Sequence, residues 1–437
     1  MQKTDASALK KYYNGIPDSI DARNPEKFRT LILNMLSCSG KTPDKISPYD
    51  KYLLGMAYLK GVDVEINVEI AVQLLTESAE EECTEAIEWL AYMYKNGEGV
   101  SIDYHKALKW NKKLAEIYEK VYGKKHPDTA ESYNDIGLVY DSLGKYDKAL
   151  EYHKKSLKIY EKVLGKEHPD IAIPYNNIGL VYASLSEYDK ALEYHKKSLK
   201  ISEKVLGKEH PDTAMSYNNI GDVYNKLGEY DKALEYHKKA LEIWKKVFGE
   251  EHPNIALAYN NIGLIYTSLG EYEKTLEYYE KSLEISEIVF GTEHPDTAAS
   301  YLNIGMIYDL LGEYDEALEY YKKSLEINEK VFGAEHPETA ASYSIVGDIY
   351  KSLVEYDEAL EYYKKSLESY EKISGTEHSD TADAYNNIGD IYESLGEYDE
   401  ALEYYEKALE AYKKVLDEDD EIITELEERI SQLMEEL

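Results

Sequence analysis

A spacing of 42 residues organises most of this chain. Histidines recur at that interval seven times, from His126 to His378, and proline follows six of the seven. The surrounding text also recurs, as in GKEHPDTAMSYNNIGDVYNKLGEYDKALEYHKKALEI. A repeat of this length is one supersecondary unit, which buries its apolar face only by stacking on its neighbours. The period therefore predicts a repeat array rather than several unrelated domains.

Each copy is predicted to form two helices. In the third copy, Pro211 suits a first helical turn, where its missing N–H would have no partner. The apolar positions of SYNNIGDVY then follow a helical period. Gly228 ends this helix, and a second one begins near Tyr230. Because paired helices approach closely only at small residues, we expect Gly221 to pack against Ala233.

This pattern resembles the tetratricopeptide repeat. The tyrosine, isoleucine, glycine and tyrosine of YNNIGDVY, with the alanines at Ala233 and Ala240, match that family's signature. The 42-residue form with its long second helix resembles the kinesin light chain variety. The resemblance implies an all-α fold, a right-handed superhelical solenoid of antiparallel helix pairs. It implies little about function, because the same repeat serves many unrelated partners.

Both ends depart from the main period. LGMAY and LAYMY are 36 residues apart and precede longer linkers, a pattern similar to Sel-one-type repeats. We predict an N-terminal helical cap over 1–50, two Sel-one-type repeats over 51–123, seven 42-residue repeats over 124–416 and a C-terminal capping helix over 417–437. The last segment has apolar residues at coiled-coil spacing, so a dimerisation helix is the alternative to a cap. A monomer is the favoured state.

Charge and composition exclude several classes of function. Lys plus Arg number 50 against 86 for Asp plus Glu, a net charge of −36. This balance argues against nucleic acid, whose binding depends on cations that displace counterions from phosphate. It also argues against an anionic membrane surface. We find no apolar run of about 18 residues and no signal peptide core. With two cysteines, Cys38 and Cys83, a reduced cytoplasmic protein is expected.

No catalytic motif stands out, so we expect no enzyme, no catalytic residue, no metal and no cofactor. The seven His-Pro-type histidines cannot share an ion, because neighbouring repeats are offset by two packed helices of about 8–10 Å each. We expect them to cap the first helices. His153, His195 and His237 occupy positions that later copies fill with tyrosine. These three, and most of the 45 tyrosines, are interpreted as packing residues.

The first helices carry the candidate binding positions, which lie three before and one after the repeat glycine. In the resembled family these positions line the inner groove. Three before the glycine, the chain has Asn134, Asn176, Asn218, Asn260, Leu302, Ser344 and Asn386. One after it, the chain has Leu138, Leu180, Asp222, Leu264, Met306, Asp348 and Asp390. All of these except Ser344 and Leu138 are candidate partner-binding residues.

Amides can pair with a peptide backbone, and exposed leucine and methionine mark a contact patch. Repeat duplication alone is the competing explanation for the similar asparagines. The next asparagine, of the Asn219 type, is instead expected at the edge between repeats. Leu302, Met306 and Leu310 form an apolar stripe flanked by acidic residues. Those acidic residues are Asp222, Asp309, Asp348, Asp390 and Glu393, opposed only by Lys226 and Lys351.

The function that fits these features is a scaffold or adaptor. It would bind a protein or peptide with apolar anchors flanked by Lys or Arg along the groove. One alternative is a partner-responsive sensor that controls an enzyme, as Rap-type repeat proteins do. A cargo adaptor like kinesin light chain is a third possibility. It is disfavoured because the chain lacks the long heptad segment needed to join a motor, and because an acidic groove repels acidic cargo motifs.

Overall fold

The structure is a computed structural model that describes residues 46–62, 64–417 and 420–436. Most of the predicted N-terminal cap over 1–50 lies outside these residues. The described residues form helices and no strand, which confirms the all-α prediction. They belong to two compact units, with the boundary between Lys208 and Glu209. Within each unit, consecutive helices pack in pairs and each pair packs on the next.

The first unit contains eight of the helices. They are α1 Pro48–Lys60, α2 Val68–Glu80, α3 Thr84–Asn96, α4 Tyr104–Tyr122, α5 Pro127–Ser142, α6 Tyr146–Val163, α7 Ala172–Ser184 and α8 Tyr188–Val205, with a short 3₁₀ turn at Pro169–Ile171 before α7.

The second unit contains five pairs and a final helix. They are α9 Pro211–Lys226, α10 Tyr230–Phe248, α11 Pro253–Ser268, α12 Tyr272–Phe290, α13 Pro295–Leu311, α14 Tyr314–Phe332, α15 Pro337–Ser352, α16 Tyr356–Ser374, α17 Ser379–Leu395, α18 Tyr398–Val415 and α19 Glu421–Glu436.

The recurring histidine caps the first helix in six of the seven 42-residue copies, and in the second copy it caps the 3₁₀ turn before α7. Its Nδ1 accepts a hydrogen bond from the backbone N–H two residues later, at 3.1 to 3.3 Å in all seven copies. The histidine thereby pairs an N–H that has no partner inside the helix. The capping role predicted for these histidines is confirmed.

The repeat glycine lies directly beneath an aromatic or imidazole ring of the second helix. A Cβ added to Gly221 would lie 2.7 Å from Nε2 of His237, and one added to Gly263 would lie 2.5 Å from the Tyr279 ring. Such distances are too short for any side chain. Ala233, the partner expected from the sequence, is fully buried, and its contact with Gly221 stays a prediction. The ring of His237, or of the tyrosine at the equivalent position in later copies, occupies the space that a Cβ on the glycine would need.

Tyrosines form a constant second contact between the two helices of each 42-residue copy. The rings of Tyr224 and Tyr236 lie 5.5 Å apart, and those of Tyr308 and Tyr320 lie 5.5 Å apart. Aromatic pairs at this separation stabilise beyond the area that they bury. The packing role predicted for the tyrosines is confirmed at these positions.

Helix α19 covers the last pair of the second unit. Ile423, Leu426, Ile430 and Leu433 are all less than 9% exposed. They belong to the same apolar core as Tyr412 on α18. This packing is what a capping helix requires, because the last repeat of an array has an apolar face with no further repeat to cover it.

Candidate functional site: the first-helix face

We use the name first-helix face for the side chains three before and one after the repeat glycine, on the first helix of each pair. Two of the predicted amides on it are not available to a partner. Asn134 is 7% exposed and Asn218 is 3% exposed. Oδ1 of each lies within 3.0 Å of Nδ1 of the histidine in its own repeat, His153 or His237. The expectation that these two amides face outward is wrong, because the paired helix buries them.

The amides instead connect neighbouring repeats. Asn177 Nδ2 donates to Asn134 Oδ1 at 3.0 Å in the first unit. Asn261 donates to Asn218 at 3.1 Å in the second unit, and Asn303 to Asn260 at 2.9 Å. We call each of these an amide link. The prediction that the second asparagine ties adjacent repeats together is confirmed at these three junctions.

An apolar pair replaces the amide link at one junction. Leu302 and Ile345 occupy the positions that carry Asn260 and Asn303 one repeat earlier. Both are partly buried and pack against the same apolar core. Leu302 thus packs at the junction between repeats while staying partly exposed, and its role as an anchor for a partner stays a prediction.

The positions one after the glycine are the accessible part of the face. Leu180 is 40% exposed in the first unit, and Leu264 is 41% exposed in the second. Met306 is partly buried against Tyr279 and the core beside it. One turn further along α13, Leu310 is 55% exposed. The three leucines are therefore open to solvent, and Met306 is partly so.

The remaining amides lie between these extremes. Asn176 is partly buried, with Oδ1 at 3.1 Å from Nδ1 of His195. Asn260 and Asn386 are also partly buried. Their contribution to partner binding stays a prediction.

Aspartate one after the glycine bonds to the ring beneath the helix. Asp348 accepts a 2.6 Å hydrogen bond from the Tyr363 hydroxyl. In the third copy, Asp222 Oδ1 lies 3.5 Å from Nε2 of His237 and Oδ2 accepts from Asn218. Burial raises the pKa of Asp222 to about 7 and lowers the pKa of His237 to about 4. At neutral pH the histidine is uncharged and the aspartate is close to its titration point.

The first two copies lack this aspartate. Leu138 and Leu180 stand in its place, and Nε2 of His153 and Nε2 of His195 are buried without a hydrogen-bond partner. Burial lowers the pKa of both histidines to about 4. They are therefore neutral packing residues, as expected from the tyrosines of later copies.

Arg429 of α19 changes the charge of the seventh copy. Its Nη1 lies 2.8 Å from Asp390 Oδ1 and its Nε 2.7 Å from Glu393 Oε2. Lys351 Nζ lies 2.7 Å from the other oxygen of Asp390. The expectation that Asp390 and Glu393 add unpaired negative charge is wrong. The position of Arg429 between the apolar residues of α19 could be read from the sequence. Its contact with Asp390 and Glu393 could not, because that contact depends on how α19 packs.

The acidic residues that Arg429 does not reach lie on α9, α13 and α15 of the second unit. Asp222, Asp309 and Asp348 remain there, and burial raises the pKa of each. Across the described residues, no three side chains of His, Cys, Asp or Glu are grouped so that they could hold a metal ion. No helix in the described part of the chain has the length and apolarity needed to cross a membrane.

The helices pack in pairs, and each pair packs on the next within its unit. This arrangement defines a helical repeat protein, a class that generally serves as a non-catalytic interaction scaffold. Family models agree. The tetratricopeptide repeat model matches residues 103–162, 170–246, 212–274, 254–330, 310–372 and 346–414. The chain belongs to the tetratricopeptide repeat family. The Sel1 repeat model matches residues 48–83 and 84–116, at the N-terminal end as predicted.

No curated protein matches the sequence significantly. Among solved structures, the apo form of the quorum sensor NprR from B. thuringiensis has a TM-score of 0.53 at 17% identity, covering 83% of this chain and 98% of that one. This likeness shows the fold alone. A putative kinesin light chain from Podosopora anserina with nearly identical repeats has a TM-score of 0.43 at 23% identity, covering 48% of this chain and 100% of that one. The apo form of RapI has a TM-score of 0.45 at 21% identity, covering 65% and 98%.

Proposed function

We propose that the chain is an interaction scaffold that binds a peptide segment along the first-helix face of its second unit. The segment carries one or two large apolar side chains flanked by Lys or Arg. The observation that carries this proposal is the exposed apolar pair Leu264 and Leu310, 41% and 55% accessible, beside partly exposed Met306.

The amide link between α11 and α13 supports the idea that these side chains act together. Asn303 donates to Asn260 at 2.9 Å, which sets the two first helices side by side. Met306 lies about one helical turn after Asn303, and Leu264 about one turn after Asn260. A bound segment that crosses both helices would therefore meet the two side chains in succession. We call Leu264, Met306 and Leu310 the apolar strip.

The charges beside this apolar strip support a basic ligand. Asp222, Asp309 and Asp348 lie on the first helices of the third, fifth and sixth copies. These helices carry two lysines: Lys351 is already paired with Asp390, and Lys226 lies one turn after Asp222 and partly offsets its charge. Flanking Lys or Arg of the ligand would favour ionisation of these carboxyls. Apolar anchors would set most of the affinity, and the charges mainly the association rate.

The proposal is tested with peptides rather than with a lysate. Random peptides displayed on phage are selected on the full chain, and enriched sequences are measured by calorimetry. We expect leucine or phenylalanine next to Lys or Arg. The double variant Leu264→Ser, Leu310→Ser should lose at least about 2 kcal/mol of binding free energy, or about thirtyfold in Kd. Leu269→Ser is the matched control, because Leu269 is also 41% exposed but lies in the turn after α11.

Enrichment of acidic peptides would contradict the proposal. The proposal would also be contradicted if the double variant bound the selected peptides as tightly as the Leu269→Ser control does. Raising the salt concentration should slow association, because exposed charges are screened beyond a Debye length of about 10 Å at 0.1 M.

A peptide-responsive sensor is the second candidate, favoured by the similarity of fold to the quorum sensor NprR over 83% of this chain. A likeness of fold assigns no function, so the two candidates are separated by experiment. Small-angle scattering of the full chain with and without a selected peptide measures the radius of gyration. A change on binding favours the sensor, and an unchanged radius favours the scaffold.

A further inference from the structure

A cavity lies in the first unit, and it shares no residue with the apolar strip of the second unit. Its volume is about 260 Å³, below the roughly 300–1,000 Å³ of a site for a drug-sized ligand. It therefore has room for a single side chain or a similarly small group. Helices α3, α4 and α5 line it, where the last Sel1 repeat meets the first 42-residue copy. Its lining includes Glu88, Tyr92, Lys95, Asn111, Asp135 and Leu138.

Asn111 lines this cavity and is 6% exposed. Across the described residues its side-chain amide makes no hydrogen bond. A buried amide normally has partners, because burying one without a hydrogen bond costs about 1–3 kcal/mol in proteins. The amide of Asn111 instead lines the open space of the cavity, where a polar group of a ligand can pair with it.

Asp135 faces the same space and has an unusual identity for its position. The equivalent residues in the following copies are Asn177, Asn219, Asn261, Asn303, Ile345 and Asn387. A carboxylate thus occurs in the first copy alone. Within the described part of the chain, Asp135 makes neither a hydrogen bond nor an ion pair. Burial and the nearby carboxylate of Glu131 raise its pKa to about 7, and the charge of Lys95 opposes this only in part.

The other two charged residues of the lining are one acid, Glu88, and one base, Lys95. Glu88 accepts a 2.8 Å hydrogen bond from the Tyr118 hydroxyl, and burial raises its pKa. Lys95 is the cation of the lining, but it comes within 4 Å of no carboxylate in the described residues. Burial lowers the pKa of Lys95, and Asp135 and Asp141 only partly oppose this. The Lys95 ammonium is therefore poorly solvated, and it forms no ion pair with the carboxylate of Glu88 or of Asp135.

We propose that this cavity binds the guanidinium group of an arginine side chain. Acceptors from three helices converge on it: the Glu88 carboxylate from α3, the Asn111 carbonyl from α4 and the Asp135 carboxylate from α5. A guanidinium is planar and has five N–H donors, so it can bond to acceptors on three different helices better than a compact ammonium can. The Tyr92 ring and the Leu138 side chain provide the apolar walls along which an arginine stem packs.

The arginine belongs either to a polypeptide partner or to a free small molecule. Both present the same chemistry to the cavity. The site shares no residue with the first-helix face of the second unit, so the two proposals succeed or fail separately.

The test is calorimetric titration of the full chain with Nα-acetyl-arginine amide at millimolar concentration. The first comparison ligand is Nα-acetyl-citrulline amide, which has the same shape without the charge. The second is Nα-acetyl-lysine amide, and the third is free L-arginine. We expect saturable binding of the arginine amide and a Kd at least about tenfold weaker for citrulline and lysine. Equal affinity for free arginine and its amide indicates a small-molecule ligand, whereas a preference for the amide indicates an arginine within a chain. Either result supports the proposal.

Asp135→Asn is the decisive variant. Asparagine already occupies the equivalent position in most other copies, so the fold should persist, as a circular dichroism melt would verify. We expect at least about a tenfold loss of affinity for the arginine amide. Asp147→Asn is the matched control, because Asp147 is an exposed carboxylate on α6 in the same unit. If Asp135→Asn fails to fold, Glu88→Gln takes its place.

The proposal is overturned if the arginine amide does not saturate, if citrulline binds equally well, or if the folded Asp135→Asn chain binds as the unaltered chain does. Loss of peptide binding by the Leu264 and Leu310 double variant would leave this site unaffected. Conversely, failure of the arginine titration would leave the peptide-binding proposal standing.

Discussion

The hydroxyl of Tyr363 donates a 2.6 Å hydrogen bond to Oδ1 of Asp348, across the junction of two paired helices. The same arrangement recurs with Tyr405 and Asp390 at 2.9 Å. In the third copy the aspartate is present as Asp222, but the ring is His237. The identity of the ring and of the residue one after the glycine therefore determine together whether the pair is bonded.

His237→Tyr should reproduce the tyrosine–aspartate bond with Asp222. His237 has a pKa of about 4 when folded, against about 6.5 in an unfolded chain. Its neutral burial therefore stabilises the fold above about pH 6.5, and that stability is lost as the pH falls towards 4. The variant should show a smaller loss over this window, measured by urea unfolding at several pH values.

His195→Tyr is the matched control. It too should lose its sensitivity to acid, but Leu180 and Ala183 offer its hydroxyl no acceptor. At pH 7 we expect His195→Tyr to be less stable than His237→Tyr by about 1 kcal/mol. Equal stability of the two variants would mean that Asp222 does not accept the new hydrogen bond.

Val354→Gly should stabilise the chain. Val354 has a φ of 64°, a conformation in which a β-branched residue is strained. It is 64% exposed, so replacing it removes little packing. We expect a gain of about 1 kcal/mol in the free energy of unfolding. The equivalent residues of five other copies are Gly144, Gly228, Gly270, Gly312 and Gly396, with φ between 66° and 75°.

Ser186→Gly, at the same turn in the second copy with φ 58°, should give a smaller gain. Serine is not β-branched and is less strained in the left-handed region. Both variants are measured by denaturant unfolding. A loss of stability in Val354→Gly would show that the valine side chain makes a contact that outweighs the backbone strain.

The apolar pair Leu302 and Ile345 should be transferable to the preceding junction. Asn260→Leu or Asn303→Ile alone leaves one amide unpaired at a partly buried site, and each should cost about 1–3 kcal/mol. The double variant restores matched partners and should cost less than the sum of the two. A coupling energy of about 1 kcal/mol is expected from the double-mutant cycle. Strict additivity would show that the two positions do not interact.

Arg429→Gln should loosen the C-terminal helix without changing the mass of the particle. The Arg429 side chain is 41% exposed and those of Asp390 and Glu393 are 15% and 29% exposed. Solvent screening therefore limits the expected loss to about 1 kcal/mol. Hydrogen exchange should show faster amide exchange in α19. A switch from dimer to monomer in light scattering would instead support the dimerisation alternative.

Binding of the arginine amide should strengthen as the pH rises from 6 to 8. Asp135 has a pKa of about 7, and only its ionised form attracts a cation. Glu88, Glu131 and Lys95 are the other charged groups that act on it. Binding should release protons, which calorimetry detects as a dependence on the ionisation enthalpy of the buffer. Asp135→Asn should show a flatter pH dependence.

The sequence predicted the helix pairs, the histidine caps and the packing tyrosines, because each follows from local spacing and repeats seven times. It also predicted that one asparagine would join adjacent repeats. It could not show that Asn134 and Asn218 are buried, because an amide suits an exposed position and a bonded interior position equally well. The partnership of Arg429 with Asp390, 39 residues earlier, depends on how α19 packs, and no periodic pattern contains that information.

The amide links have a consequence for how such a chain can change its length. Each link joins residues 43 apart, so donor and acceptor always come from consecutive copies. Unequal recombination that adds or removes one whole repeat joins two repeats whose junction residues already match. The gene can therefore lengthen or shorten the array in one event, without a new interface having to arise. A breakpoint between Leu302 and Ile345 is the exception, since it would set an amide opposite an aliphatic side chain.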